Sequence, residues 1–165
     1  MQAGIFGVGN ELREDDGIGL VIVEKLKALF TSDSVDLLIM GDRLFEIPTL
    51  MINYSKIAII DALPPDSKPG KIRVFRYDSN NFLIPRTYSL HDLDLLWQLQ
   101  YAFWSGFKGE ILLVGIEVES LAYKEGLSLK LCDSLPRITR IVAKAIKEFF
   151  GLTKLVIRPY NKIIY

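Results

Sequence analysis

Cysteine and histidine are the scarcest reactive residues in this sequence, with one copy of each, at Cys132 and His91. A single cysteine excludes an internal disulfide and a zinc cluster built from cysteines alone, and it is typical of a protein from a reducing compartment. The sequence also lacks a Gly-x-Ser-x-Gly turn and a second histidine. A serine or cysteine hydrolase with its own histidine base is therefore disfavoured if His91 has another role.

Charge of one sign and long apolar runs are missing as well. Twenty basic residues balance twenty acidic residues, so the chain has no basic field of the kind that general nucleic-acid and membrane-surface binders need. No apolar stretch approaches the length that spans a bilayer, and the first residues lack the basic region of a signal peptide. We therefore expect a soluble, cytoplasmic protein that binds neither nucleic acid nor membrane.

Short apolar runs alternate with amphipathic segments, without an internal repeat or a linker. Strands are predicted over residues 3–8, 35–40, 56–61, 72–77 (edge or antiparallel), 110–116 and, as a short strand, 155–157. Helices are predicted over residues 18–30, 44–54, 91–103 and 128–149, the last with a break or fresh start at Pro136. The alternation predicts one domain over residues 1–165, with a three-layer α/β/α fold whose mostly parallel, twisted sheet has about five strands. Ligands of such sheets bind at the carboxyl ends of the strands.

A loop rich in glycine and acidic residues follows the first predicted strand, over residues 7–19. Its first two glycines suggest a dinucleotide-binding turn, but Leu12 stands where the third glycine is needed. The acidic side chains of the loop would also repel a pyrophosphate, so a nucleotide-binding module is the weaker alternative. Asp15 and Asp16 are equally suited to capping the next helix. Capping is compatible with ligand binding, because it holds a carboxylate rigidly at the strand ends.

Asp61 and His91 are the other candidate ligands. Asp61 closes the most strand-like run of the chain, although it is also suited to be a turn residue that opens the proline-rich loop. His91 follows Ser89, a predicted N-cap that forms a capping box with Asp92. The positive end of a helix dipole disfavours imidazolium there, and neutral imidazole is the form that binds metal. A single histidine is otherwise most often an ordinary surface residue.

Together, Asp16, Asp61 and His91 would form an open site of two carboxylates and one imidazole. Such a site suits a borderline divalent ion such as zinc or nickel and leaves positions for water or substrate. An ion held there would polarise a carbonyl group or lower the pKa of a bound water. Asp15 is the free carboxylate nearest to these ligands in sequence, and it is the predicted proton acceptor.

Other conspicuous residues are predicted to pack rather than to react. Cys132 lies in an amphipathic stretch and is expected in the core or at its flank. Trp97, Phe103 and Trp104 follow His91 within a predicted helix, and we expect them in the core rather than in a ligand cage.

These motifs resemble those of the hydrogenase maturation endopeptidases. The match consists of G-x-G-N-x-x-x-x-D-D-G-x-G over residues 7–19, I-I-D-A over residues 59–62, S-x-H ahead of a leucine-rich helix over residues 89–96, and a strand-loop-helix segment over residues 114–136. The pieces keep the family's order over most of the chain. The resemblance implies a twisted sheet between helices. It also implies removal of a C-terminal peptide from the large subunit of a nickel-iron hydrogenase after its metal centre has been loaded.

The family's three metal-contacting positions map onto Asp16, Asp61 and His91. The resemblance implies that nickel belongs to the substrate, the large-subunit precursor, so that the isolated protein need hold no metal. A non-catalytic checkpoint that binds nickel-loaded precursor without cutting it is an alternative with the same ligands. Many members carry a glycine-threonine turn where this chain has Gly41 followed by Asp42, so precursor specificity is expected to differ if the turn contacts the precursor. The sequence indicates neither which hydrogenase is processed nor the oligomeric state.

Overall fold

The computed structural model describes residues 2–30, 35–77, 79 and 90–152, with the backbone alone at residues 90–93. Its strands are β1 (Ala3–Val8), β2 (Val35–Gly41), β3 (Lys56–Leu63), β4 (Ile72–Tyr77) and β5 (Glu110–Glu117). They form one sheet in the order β2-β1-β3-β5-β4. All neighbouring pairs are parallel except β4 with β5, which is antiparallel at the edge. The predicted mostly parallel sheet of about five strands is confirmed.

Helices cover both faces of this sheet. They are α1 (Ile18–Lys27), α2 (Ile47–Met51), α3 (Leu90–Trp104) and α4 (Leu129–Phe150), with 3₁₀ turns at Glu14–Gly17 and Leu44–Glu46. The buried residues of α1 and α4 share one hydrophobic cluster, and those of α2 and α3 share the other. None of the described helices combines the length and apolar character that crossing a membrane requires. The result is the predicted three-layer α/β/α arrangement.

The central strands are apolar throughout because they are buried on both sides. In β3, Ala58 and Ile60 contribute to one cluster, whereas Ile57 and Ile59 contribute to the other. Side chains alternate across a strand, so a strand covered on both faces is a continuous apolar run. These runs explain why the three central strands β1, β3 and β5 were predictable from the sequence.

A glycine brings the start of α1 against the ends of the strands. A Cβ added at Gly19 would lie 2.4 Å from the carbonyl oxygens of both Val8 and Ile60. Only a residue without a side chain permits this approach of helix and sheet. The loop that precedes α1 is thereby held at the carboxyl edge of β1 and β3.

Several predictions for single residues were wrong. Pro136 lies inside a continuous α4 and is exposed, so it does not break the helix. Cys132 is exposed on α4 rather than packed. Trp97 and Trp104 are also exposed, while Phe103 is partly buried and packs against Phe107 with ring centroids 5.2 Å apart. The segment predicted as one helix from residue 44 is divided into a 3₁₀ turn and the short α2. The predicted strand at 155–157 and the cap at 89 lie outside the described residues.

Candidate active site

A cleft of ≈ 340 Å³ opens at the carboxyl ends of β1, β2 and β3, with α3 as a further wall. This is the edge of the sheet at which the strand order predicts a ligand site. The lining side chains and backbone come from Val8, Gly9, Asn10, Arg13, Asp16, Gly41, Asp42, Leu44, Phe45, Asp61, Asp94, Leu95, Gln98 and Tyr123. Two of the predicted ligands, Asp16 and Asp61, therefore lie in the same cleft.

The backbone around Gly9 fixes the position of Asp16. Gly9 has a φ of +127°, and an added Cβ would lie 1.9 Å from the carbonyl oxygen of Asp16. The Gly9 N–H donates to the carbonyl of Gly41 at the end of β2. The Asn10 N–H donates to Asp16 Oδ2 at 2.9 Å. The loop after β1 is thus folded back on itself, and it presents the half-buried Asp16 carboxylate to the cleft.

Asp61 belongs to β3 rather than to a turn. The strand continues through Leu63, and Asp61 is in register with Gly115 of β5. Its Oδ1 accepts the N–H of Ala62 at 2.8 Å. The strand pairing holds the backbone of Asp61 at the sheet edge, so its interpretation as the residue that opens the proline-rich loop is wrong.

His91 is the second residue of α3, and its side chain lies outside the described residues. Asp94, Leu95 and Gln98 follow it at spacings of three, four and seven residues, and all three line the cleft. Residues at these spacings share one face of a helix. Position 91 therefore lies on the helix face that forms the cleft wall. Among the side chains that the structure describes, no three histidine, cysteine or carboxylate groups form a metal-binding cluster.

Asp15 occupies a different environment from Asp16. It is 0% exposed and does not line the cleft. Its Oδ1 accepts the N–H of Ser128 at 2.6 Å, and its Oδ2 accepts those of Glu119 and Ser120 at 3.0 and 3.2 Å. The carboxylate thus binds the segment between β5 and α4, and this position does not fit the predicted role of proton acceptor.

The segment that Asp15 binds is joined to the loop after β1 by further bonds. The Glu14 N–H donates to the carbonyl of Lys124 at 2.7 Å, and the Lys124 N–H donates to the carbonyl of Leu12 at 3.1 Å. Glu14 has a φ of +47°, a left-handed conformation that is uncommon for a residue with a side chain. The hydroxyl of Ser120 and the ammonium of Lys124 hold the pKa of Glu14 below its usual value. These hydrogen bonds join the loop after β1 to the segment between β5 and α4, and the two segments together form one wall of the cleft.

This wall carries residues that the sequence did not indicate as part of the site. The guanidinium of Arg13 lies 5.9 Å from the ring centroid of Tyr123, and both residues line the cleft. They come from segments far apart in the chain, so no local pattern joins them. Asp42 and Asp94 are further cleft carboxylates, and both are exposed. The helical spacing after His91 would have indicated Asp94.

Another buried carboxylate, that of Glu117 at the end of β5, also lies outside the cleft lining and is 1% exposed. Arg73 Nε donates to its Oε1 at 2.7 Å, and the hydroxyl and N–H of Ser67 donate to its Oε2. Burial acts to raise the pKa of Glu117, but the bonds from Ser67, Lys68 and Arg73 outweigh it and lower the pKa to about 2. Glu117 fixes the proline-rich loop to the sheet.

Comparison with known proteins identifies the class. A family model described as hydrogenase maturation protease matches residues 20–145. The hydrogenase 2 maturation protease of Escherichia coli is 32% identical over 147 residues, which cover 87% of this chain and 85% of that protein. The structure of the E. coli hydrogenase maturating endopeptidase HybD aligns with a TM-score of 0.75 at 28% identity, over 90% of this chain and 93% of HybD. That of HybD from Thermococcus kodakarensis aligns with a TM-score of 0.72 at 24% identity, over 88% and 99%.

These matches and the cleft at the strand ends define an α/β endopeptidase. The chain belongs to the hydrogenase maturation protease family.

Proposed function

We propose that the chain removes the C-terminal extension of a nickel-loaded large-subunit precursor of a nickel-iron hydrogenase. The observation that carries this proposal is the presence of Asp16 and Asp61 in one cleft, since Asp16 comes from the 3₁₀ turn before α1 and Asp61 from β3. A cleft on the surface admits a chain terminus, and its carboxylates supply oxygen ligands for a divalent ion.

Nickel enters this site as part of the substrate. Asp16, Asp61 and His91 recognise it, because two carboxylates and one imidazole leave room for ligands that the precursor itself supplies. Asp16 is preorganised for this role, since the Asn10 N–H fixes its Oδ2. The substrate's ion polarises the amide carbonyl or a bound water when the precursor is in place. Only a loaded precursor would then be cut.

The proton acceptor is one of the exposed cleft carboxylates. Asp15 is fully buried, and both of its oxygens accept backbone N–H groups. Asp42 and Asp94 line the cleft and are open to solvent. A general base has to reach the attacking water, and these two carboxylates have that access. They replace Asp15 as candidates for proton transfer.

Mass spectrometry of the precursor, incubated with this protein with and without nickel, tests the proposal. We expect loss of the C-terminal peptide only from loaded precursor, and loss of that reaction in Asp16→Asn, Asp61→Asn and His91→Ala. Asp133→Asn, an exposed carboxylate on α4, is the matched control and should cut normally. Normal cleavage by the Asp16 or Asp61 variant would refute the assigned site.

Two other outcomes separate the parts of the proposal. Cleavage of precursor that lacks nickel would refute the proposed metal recognition but support the peptidase activity. A stable complex with loaded precursor that never yields the peptide would instead establish the non-catalytic checkpoint.

A further inference from the structure

The outer face of α3 is aromatic, whereas that of α4 is charged. Trp97, Tyr101 and Trp104 are 52, 57 and 69% exposed. Their spacings of four and three residues place them on one side of the helix. We name these three residues the α3 aromatic stripe. The exposed charged residues of α4, by contrast, are Lys130, Asp133, Arg137, Arg140, Lys144 and Glu148.

The α3 aromatic stripe is continuous with the cleft. Asp94 lines the cleft and lies three residues, less than one turn, before Trp97. From Asp94 to Trp104 the stripe extends about 15 Å at the rise of an α-helix. No charged residue occurs from position 95 to position 107. An uncharged surface rich in tryptophan and tyrosine has the composition of the core of a protein interface.

We propose that the α3 aromatic stripe docks the folded body of the hydrogenase large-subunit precursor whose C-terminal extension enters the cleft. This inference rests on the proposed function. A cleft of ≈ 340 Å³ holds only a short stretch of chain, so selection of the whole precursor requires contacts outside it. The stripe begins at the rim of the cleft, where the rest of a bound precursor must lie. Tryptophan and tyrosine are also the side chains that most often dominate binding energy.

The test compares two double variants of the full chain. Tyr101→Ser with Trp104→Ser removes the stripe beyond the cleft rim, and Leu129→Ser with Ile141→Ser removes exposed apolar side chains from α4 on the opposite face of the sheet. The probe is purified, nickel-loaded large-subunit precursor, and its affinity is measured by biolayer interferometry. We expect the stripe variant to bind about 30-fold more weakly or worse, as for the loss of central aromatic contacts, and the α4 variant to bind as the wild type does. In cleavage assays KM should rise while kcat is kept. Thermal unfolding of both variants checks that each is folded.

Unchanged precursor affinity in a folded stripe variant would overturn the docking role. The same holds if sedimentation shows a wild-type dimer that the stripe variant dissociates without losing precursor affinity, because the stripe would then bind a second copy. Failure of the proposed function is recognised separately. Wild-type protein that binds precursor through the stripe but releases no peptide would refute the peptidase and leave the docking surface. Cleavage with an unchanged KM in the stripe variant would instead refute the docking surface and support the peptidase.

Discussion

Asp15 and Asp16 are neighbours in the sequence, but they face different surroundings. Asp15 is fully buried, and its oxygens accept backbone N–H groups. Glu117, at the end of β5, is likewise buried and accepts hydrogen bonds from Ser67 and Arg73. Asp16 is half-buried and lines the cleft together with Asp61. A buried carboxylate persists only when its oxygens are hydrogen-bonded, so the buried pair braces the loops. The cleft pair remains accessible to a ligand. Under the proposed function, stability and chemistry therefore depend on different carboxylates at the same edge of the sheet.

The largest loss of stability is expected where backbone supports Asp16. In Gly9→Ala the new methyl group would meet the carbonyl oxygen of Asp16 at 1.9 Å, at a residue whose φ is +127°. Overpacking and left-handed strain together should lower the free energy of unfolding by about 4 kcal/mol. Urea denaturation followed by circular dichroism measures the loss.

Gly106→Ala is the matched control for Gly9→Ala. Gly106 also has a positive φ, +103°, but an added Cβ meets nothing within 4 Å. Strain alone should lower its free energy of unfolding by about 1–2 kcal/mol. Equal losses in the two variants would show that the contact with Asp16 is unimportant.

Glu117 should give the next largest effect, and one that depends on pH. Glu117→Gln leaves Arg73 beside a neutral group and should lower the free energy of unfolding by about 3 kcal/mol at pH 7. The pKa of Glu117 is lowered from 4.5 to about 2 in the folded protein. Its stabilisation is therefore complete above pH 4.5 and is lost as the pH falls towards 2. Urea denaturation across this range should show the wild type and the variant converging.

Glu110→Gln controls for the loss of a charge on the same strand. Glu110 pairs with Lys56 and Arg76 but is about half exposed. A surface pair contributes about 0.5 kcal/mol, so this variant should be close to the wild type. A loss as large as that of Glu117→Gln would contradict the role of burial.

Asp15→Asn should be less damaging to stability than these changes, but it separates the two aspartates. The amide nitrogen would replace an oxygen that accepts a backbone N–H, and the free energy of unfolding should fall by about 2 kcal/mol. In Asp16→Asn the amide oxygen can still accept from Asn10, so the loss should stay below about 1 kcal/mol while cleavage of precursor disappears. Thermal melts and the cleavage assay are run on both variants. Full activity in Asp16→Asn together with inactivity in a stable Asp15→Asn would reverse the assignment.

The sequence predicted the sheet better than it predicted the roles of single residues. Central strands buried on both faces are continuous apolar runs, so β1, β3 and β5 could be recognised locally. The partners of Asp15 are more than a hundred residues away, and no local pattern distinguishes it from Asp16. Trp97 and Trp104 were expected in the core because large apolar side chains are usually buried, yet both are exposed. That expectation fails where an apolar surface serves as an interaction site.

The smallest effect on stability is expected in the cleft wall itself. Tyr123 is 88% exposed, and its described contact is the Arg13 guanidinium at 5.9 Å from the ring centroid. Tyr123→Leu should lower the free energy of unfolding by about 0.5 kcal/mol, as for an exposed cation–π pair. A double-mutant cycle with Arg13→Met, which removes the cation, measures this coupling by urea denaturation. A coupling energy above about 2 kcal/mol would mean that the contact between Tyr123 and Arg13 stabilises the fold as much as the hydrogen bonds of Asp15 do. Weak coupling would instead mean that the Tyr123 side chain can leave Arg13 and contact a substrate at little cost in stability. Accessibility to a ligand is also what distinguishes the cleft carboxylates from the buried ones.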